Sequence, residues 1–443
     1  MNQSQTASHD LSQDLSHGLN APGQASLKRR WLYLLPAVFV TYSLAYLDRA
    51  NYGFGAAAGL AATLHITGSQ SSLLGAIFFF GYFCFQVPGA ILARRRSATR
   101  LVFASLIVWG ILAALTGVVR QFWVLALDRF LLGIAESFIF PAMLLLLTRW
   151  FTRSERSRAN TILILGNPIT VLWMSAITGY LIQAVGWQRT FIYEGIPSVI
   201  WAIVWLFLVK DTPAQSSWMT PEATAALESR ITQEQLSVSP IKNVRAALLR
   251  GDVILLSIIY FLWSVGVYGF VIWLPAIVQQ GSALSMGRTG LLSAVPYLAA
   301  IFAMLFASWR SDKTLRRAAL VTPFLFASGL AMLVSFTFST NFPIAFAGLV
   351  VAGACMYAPY GPFFALIPER VPRNVTAEVI ALINSCGALG AFFGSYLVGW
   401  LRSVTGDSRA GFLLMALSLV ASAGLMLLLK PPAATLTTRE NAS

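Results

Sequence analysis

The chain has 443 residues, of which 57% are hydrophobic and 11% charged, and its mean hydropathy is +0.70. That balance excludes a soluble globular domain, and the quantity of apolar sequence excludes a single-span receptor. Its 31 Lys and Arg against 17 Asp and Glu leave a formal charge of +14, a surplus that must be sorted by loop before it is read as nucleic-acid binding.

Residues 1–30 are rich in Ser, Gln and Asn and end in Lys28-Arg29-Arg30, which predicts a disordered cytoplasmic tail. Apolar segments then run over 31–54, 71–92, 101–119, 122–147, 160–184 and 190–208, and a second set over 253–278, 288–309, 318–338, 342–365, 375–400 and 410–429. None alternates with the period of a barrel strand, so all are read as helices. The expected organisation is an N-terminal six-helix bundle over 31–209, a cytoplasmic central loop over 210–250, a C-terminal six-helix bundle over 251–430 and a cytoplasmic tail over 431–443. Within the loop, Thr220-Pro221-Glu222 starts a short polar helix reaching about Gln235, with Thr as cap and Pro at the first position. With the N-terminus inside, 24 of the 31 basic residues fall in inside loops, and only Arg120, Arg189, Arg288, Arg402 and Arg409 fall outside. Both termini are therefore expected in the cytoplasm of a multi-pass cell-membrane protein, and topology explains the charge without nucleic acid.

The two sets of spans repeat each other. Tyr52-Gly53-Phe54 recurs as Tyr268-Gly269-Phe270, Asn167 as Asn384, Tyr180-Leu181 as Tyr396-Leu397 and Pro141 as Pro362, at offsets of 216 to 221. Two related bundles place a cavity between them near the bilayer midplane. The halves differ in charge. Asp48, Arg49, Arg129 and Glu136 lie inside spans, whereas the matching positions are Ser264, Val265, Val350 and Tyr357. Ionisable side chains in a span mark a substrate or ion pathway, the competing reading being that Asp48 and Arg49 simply pair with the two charges of span four. Asp128, turned about 100° from Arg129 on the helix, is read as structural.

Three elements carry a family resemblance: Tyr46-Leu47-Asp48-Arg49-Ala50-Asn51-Tyr52-Gly53-Phe54, then Gly81-Tyr82 with Gln86-Val87-Pro88-Gly89, then Arg129-Phe130-Leu131-Leu132-Gly133-Ile134-Ala135-Glu136. Together with Trp273-Leu274-Pro275 and Ile383-Asn384-Ser385, they resemble the anion:cation symporter family of the major facilitator superfamily over about residues 30–430. The resemblance implies an all-α membrane protein of twelve transmembrane helices and proton-coupled uptake of a small organic anion such as a sugar acid, hydroxy acid or aromatic acid. It further implies that Asp48 and Glu136 are protonation sites, that Arg49 and Arg129 engage the anion, and that Tyr82 and Asn384 line its cavity. Tyr268, Tyr357, Tyr360 and Ser264 would add shape and hydroxyl contacts. An arginine suits the anion because its planar fork binds carboxylate and keeps its charge.

One departure stands out. The loop after span two usually carries an acid in this superfamily, and here that position is Arg94, followed by Arg95 and Arg100; the second copy keeps Asp312 and Lys313. These loops latch the cytoplasmic side in relatives, so the latch, expected at Arg95, Arg100, Asp312 and Lys313, should be weaker or rewired. The alternatives to uptake are an organic-anion exporter or exchanger and, from another class, a non-transporting nutrient sensor. Cys84, Cys355 and Cys386 all lie in apolar runs and His65 is isolated in an outside loop, so neither a cofactor, a metal site nor an enzyme is expected. The partners are expected to be the anion, protons and lipid, with the protein a monomer.

Overall fold

A run of about 20 apolar residues can satisfy its backbone in lipid only as a helix, and the computed structural model, which describes residues 21–57, 60–236, 243–282, 286–372, 374–405 and 409–429, consists of helices joined by short loops with no strand among those residues. In chain order the helices are α1 (Ala21–Ala57), α2 (Leu60–Thr63), α3 (Gly68–Arg95), α4 (Ala98–Thr116), α5 (Phe122–Ser137), α6 (Ile139–Trp150), α7 (Arg156–Ile164) and α8 (Gly166–Leu208). Helices α9 (Pro221–Leu236) and α10 (Val244–Leu248) follow. The remainder are α11 (Gly251–Ser282), α12 (Met286–Thr314), α13 (Arg317–Thr337), α14 (Phe342–Tyr357), α15 (Tyr360–Leu366), α16 (Thr376–Thr405) and α17 (Arg409–Leu427).

Ten stretches among the described residues are long and apolar enough to cross a membrane. Helix α1 and the part of α8 ahead of Gly186, whose φ of 79° breaks that helix in two, supply the other two spans. Spans four and ten are each interrupted, between α5 and α6 at Phe138 and between α14 and α15 at Ala358-Pro359. Pro141 and Pro362 sit in the first turns after the two breaks. A proline ring clashes with the carbonyl four residues back and offers no N–H, so each break has the same local cause. The repeat seen as sequence is thus also a repeat of backbone irregularity.

Helix α1 begins at Ala21, ahead of the expected end of the tail at residue 30. The reason is Arg30, which is buried and neutralised: its guanidinium lies 2.5 Å from Glu155 and donates to the Trp150 carbonyl at 2.7 Å. The polar helix of the central loop is α9, and the Thr220 hydroxyl accepts from Ala223 N–H at its start. One face of it is packed into the protein. Met219, Ala223, Leu227 and Ile231 recur every fourth residue and are buried, the spacing of one helical face. Glu234 on the same helix accepts the Arg153 N–H and lies 3.8 Å from Arg156. Burial pushes its carboxyl above the usual range, with Arg156 opposing, and burial likewise lowers Arg156, with Glu234 opposing.

Close pairing of α3 with α5, α4 with α8 and α11 with α16 builds the interior, and α3 packs across onto α16, as α7 does onto α15. Two glycines set the first of these approaches: a Cβ on Gly133 would collide with the Phe78 carbonyl oxygen, and one on Gly81 with the Phe130 carbonyl oxygen. Gly133→Leu should therefore force α3 from α5 and cost about 1–3 kcal/mol of stability. Thermal unfolding in detergent would read this, and an unchanged midpoint would show that the two helices can separate freely.

Candidate substrate cavity and its gate

Where α1, α3, α6, α7, α8, α11, α15 and α16 converge lies a cavity of about 30 Å³, room for one or two waters. Tyr82, Tyr268, Tyr360, Asn384 and Ser264, all singled out in the sequence, line it. So do Tyr42, Phe79, Phe140, Asn167 and Tyr260, which were not proposed as site residues. Tyr357 is placed differently: it is buried behind Tyr360, ring centroids 5.7 Å apart, and against Tyr297 at 6.0 Å. The walls are held by aromatic packing. Trp263 packs on Tyr360 at 4.4 Å and anchors its indole N–H on the Met356 carbonyl at 2.9 Å, while Tyr260 stacks on Phe363 at 5.4 Å. The glycines of span eleven let α16 lie close on α11, since a Cβ on Gly390 or Gly394 would meet the backbone at Phe261 or Val265.

Asn384 on α16 crosses to α3, donating to the Gln86 amide oxygen at 2.8 Å and the Tyr82 hydroxyl at 3.4 Å, and the Ser385 hydroxyl donates to the Phe83 carbonyl at 3.3 Å. Gln86 is fully buried. A lone amide in an otherwise apolar run is the sequence signal for it.

Charge sits beside this cavity, in α5. Arg129 is 2% exposed; its guanidinium lies 4.8 Å from the Tyr52 ring centroid and 5.1 Å from that of Phe78, and Phe78 in turn stacks on the cavity residue Tyr82 at 6.1 Å. Two π faces stabilise the buried cation without consuming its directional donors, and its Nε and Nη1 find no hydrogen-bond acceptor among the described residues. Glu136, two turns further along α5, is fully buried. Asp128 faces elsewhere and accepts from the Thr116 hydroxyl on α4 at 2.7 Å. Asp48 and Arg49 lie on α1, and their side chains are outside the described ones.

The end of the bundles that carries the basic loops is sealed by ion pairs between the two halves. Arg94 Nε lies 2.6 Å from the fully buried Glu378, Arg153 3.1 Å from Glu369, and Arg158 3.0 Å from Asp312. Arg317 ties Asp312 (3.2 Å) to Glu369 (2.6 Å) and donates to the Arg153 carbonyl. Asp312 also accepts the Ser157 and Arg158 N–H groups at 3.1 and 2.9 Å, so a carboxylate of one half caps the start of α7 in the other. The anomalous Arg94 thus joins the two halves through an ion pair with base on α3 and acid on α16. Of the residues expected in the latch, Asp312 takes this central place, whereas Lys313 lies over the Trp309 ring at 4.2 Å and Arg95 and Arg100 are exposed.

The sequence matches the Major Facilitator Superfamily model over residues 38–395 and again over 283–442. The chain belongs to the major facilitator superfamily. A putative tartrate transporter of Agrobacterium vitis is 31% identical over 412 residues, covering 91% of each chain. The hexuronate transporter of Bacillus subtilis is 24% identical over 413 residues, covering 89% of this chain and 93% of its own. Among solved structures, the proton:xylose symporter XylE matches with a TM-score of 0.70 at 14% identity, over 90% of this chain and 96% of that one. FucP in its outward conformation matches at 0.67 and 13%, over 90% and 99%. These structures share the fold. The protein is accordingly a twelve-helix, multi-pass membrane transporter of small molecules rather than an enzyme, and as in the superfamily at large its cavity lies where the halves meet.

Proposed function

We propose that this transporter takes up a small organic anion, a carboxylate, together with protons. Arg129 carries the reading: a buried cation whose Nε and Nη1 have no hydrogen-bond acceptor among the described residues, set against the aromatic wall of the cavity, is suited to a carboxylate arriving from that cavity. Asp48, Arg49 and Glu136 complete a set of four ionisable residues on the spans of the first half. Glu136 and Asp48 are the protonation sites; Arg49 and Arg129 hold the anion; Tyr82, Tyr268, Tyr360, Asn384 and Ser264 shape the chamber, with Tyr357 supporting it from behind. Relatives named for tartrate and hexuronate support the carboxylate class. The positive-inside distribution makes the basic end cytoplasmic, so the described state is closed toward the cytoplasm. With room for little more than a water, the chamber must widen before substrate binds.

Uptake of labelled tartrate, hexuronate and aromatic acids into proteoliposomes with an inward proton gradient tests the proposal, and no accumulation of any of these acids would overturn it. Extrusion under the same gradient would establish export instead. Arg129→Lys keeps the charge but loses the paired parallel donors, and should weaken apparent affinity for the anion by about ten- to a hundred-fold. Parent-like binding by that variant would make Arg129 a structural partner of the neighbouring acids.

A further inference from the structure

A second cavity, about 530 Å³ and open to the surface, lies away from the central chamber, between the start of α4 and the end of α8. Arg96, Arg100 and Lys210 line it, with Leu206, Phe207 and Val209 as its apolar wall. Its single acid, Asp211, is already engaged: it accepts from the Ser97 hydroxyl and the Thr99 N–H (3.0 Å) and lies 3.7 Å from Arg149. The cavity therefore keeps a surplus of positive charge. Neither Arg96 nor Arg100 makes an ion pair among the described residues, unlike the gate arginines around them.

Its position identifies the occupant. The spans over Ala98–Thr116 and Leu181–Leu208 both end at this cavity, at the depth where lipid headgroups meet water. Phe207, 75% exposed, stands at its rim, and Ile196, Ile200 and Ile203 continue an exposed apolar stripe along α8 toward the bilayer interior. The Trp205 indole N–H, bonded to the Thr99 carbonyl at 3.0 Å, holds the two helices together beneath it. Cations above an apolar track fit a molecule with a phosphate head and hydrocarbon tails.

We propose that this cavity binds the headgroup of an anionic glycerophospholipid, with Arg96, Arg100 and Lys210 on the phosphate and an acyl chain along Phe207 and the isoleucine stripe. A free phosphate would have no use for that stripe. The site is confined to one half, so bound lipid would anchor that half at the membrane surface while the other rocks against it.

Native mass spectrometry of the purified full-length protein, titrated with phosphatidylglycerol or phosphatidylcholine, tests the assignment. Phosphatidylglycerol should be retained preferentially, and Arg100→Gln or Lys210→Gln should each lower its affinity about five-fold, the effect of one cation near an anionic headgroup. Arg95→Gln, on an exposed neighbour outside the cavity, should leave it unchanged. Equal retention of both lipids would overturn the site, as would an Arg95→Gln loss equal to the others, which would mean undirected surface charge. Displacement of phosphatidylglycerol by soluble glycerol phosphate at equal concentration would also overturn it, by showing a free-phosphate site. Thermal unfolding in lipid-free detergent establishes that the variants are folded; should one fail, the other carries the test.

Discussion

Glutamine at position 136 should leave the transporter able to exchange substrate for substrate while abolishing accumulation driven by a proton gradient. The substitution imitates the protonated carboxyl permanently, so the anion still finds its cations but the charge movement that couples it to protons is gone. Glu136 is fully buried on α5, where water cannot substitute for its charge. A merely structural Glu136 leads elsewhere: neutralising it would strand a buried cation at a cost of about 3–5 kcal/mol, and binding, exchange and folded yield would fall together. Counterflow and gradient-driven uptake measured on one reconstituted sample separate these outcomes. Accumulation at the parent level would sink the coupling role.

Reversing the gate at Arg94 should have the second large effect. In Arg94→Glu a carboxylate faces the buried Glu378 across what is now a 2.6 Å contact. Arg94 is about a quarter exposed, which screens part of the repulsion, and we expect a loss of about 2 kcal/mol or more from the closed state. Spin labels on α3 and α16 at the basic end should then report a shift to longer distances, and the reciprocal variant Arg94→Glu with Glu378→Arg should restore the parent distribution. An unshifted distribution in the single variant would mean that the pair does not hold the gate.

The spans were legible because lipid leaves a chain few choices: twenty apolar residues bounded by basic loops mean one helix each, and the break in α8 at Gly186 falls between the two spans read there. Contact across the halves was not legible. Arg94 was visible as an anomaly, but its partner lies 284 residues away, and nothing local to Glu378 marks it as that partner. Tyr42, Phe79, Phe140 and Tyr260 escaped notice for another reason. In a hydrophobic span an aromatic that faces a chamber is spelled like one that faces lipid, and only the packing of α1, α3, α6 and α11 distinguishes them. The polarity of residues 21–30 reads as tail, whereas Leu27 is buried, Ser26 accepts the Thr220 N–H, and Arg30 is buried against Trp150 and Glu155.

The carboxylate of Asp312 serves two arginines and two backbone N–H groups at once. Arg317 belongs to the same half and stays with it, but pulling the halves slightly apart would leave the Arg158 guanidinium and the Ser157 and Arg158 N–H groups desolvated without an acceptor, and water can replace Asp312 only once the gap admits it. A half-parted intermediate is thus the least stable arrangement along the path. Conformational change at this end should accordingly be a jump between two discrete populations, with single-exponential dwell times and a steep temperature dependence, and not a continuous widening.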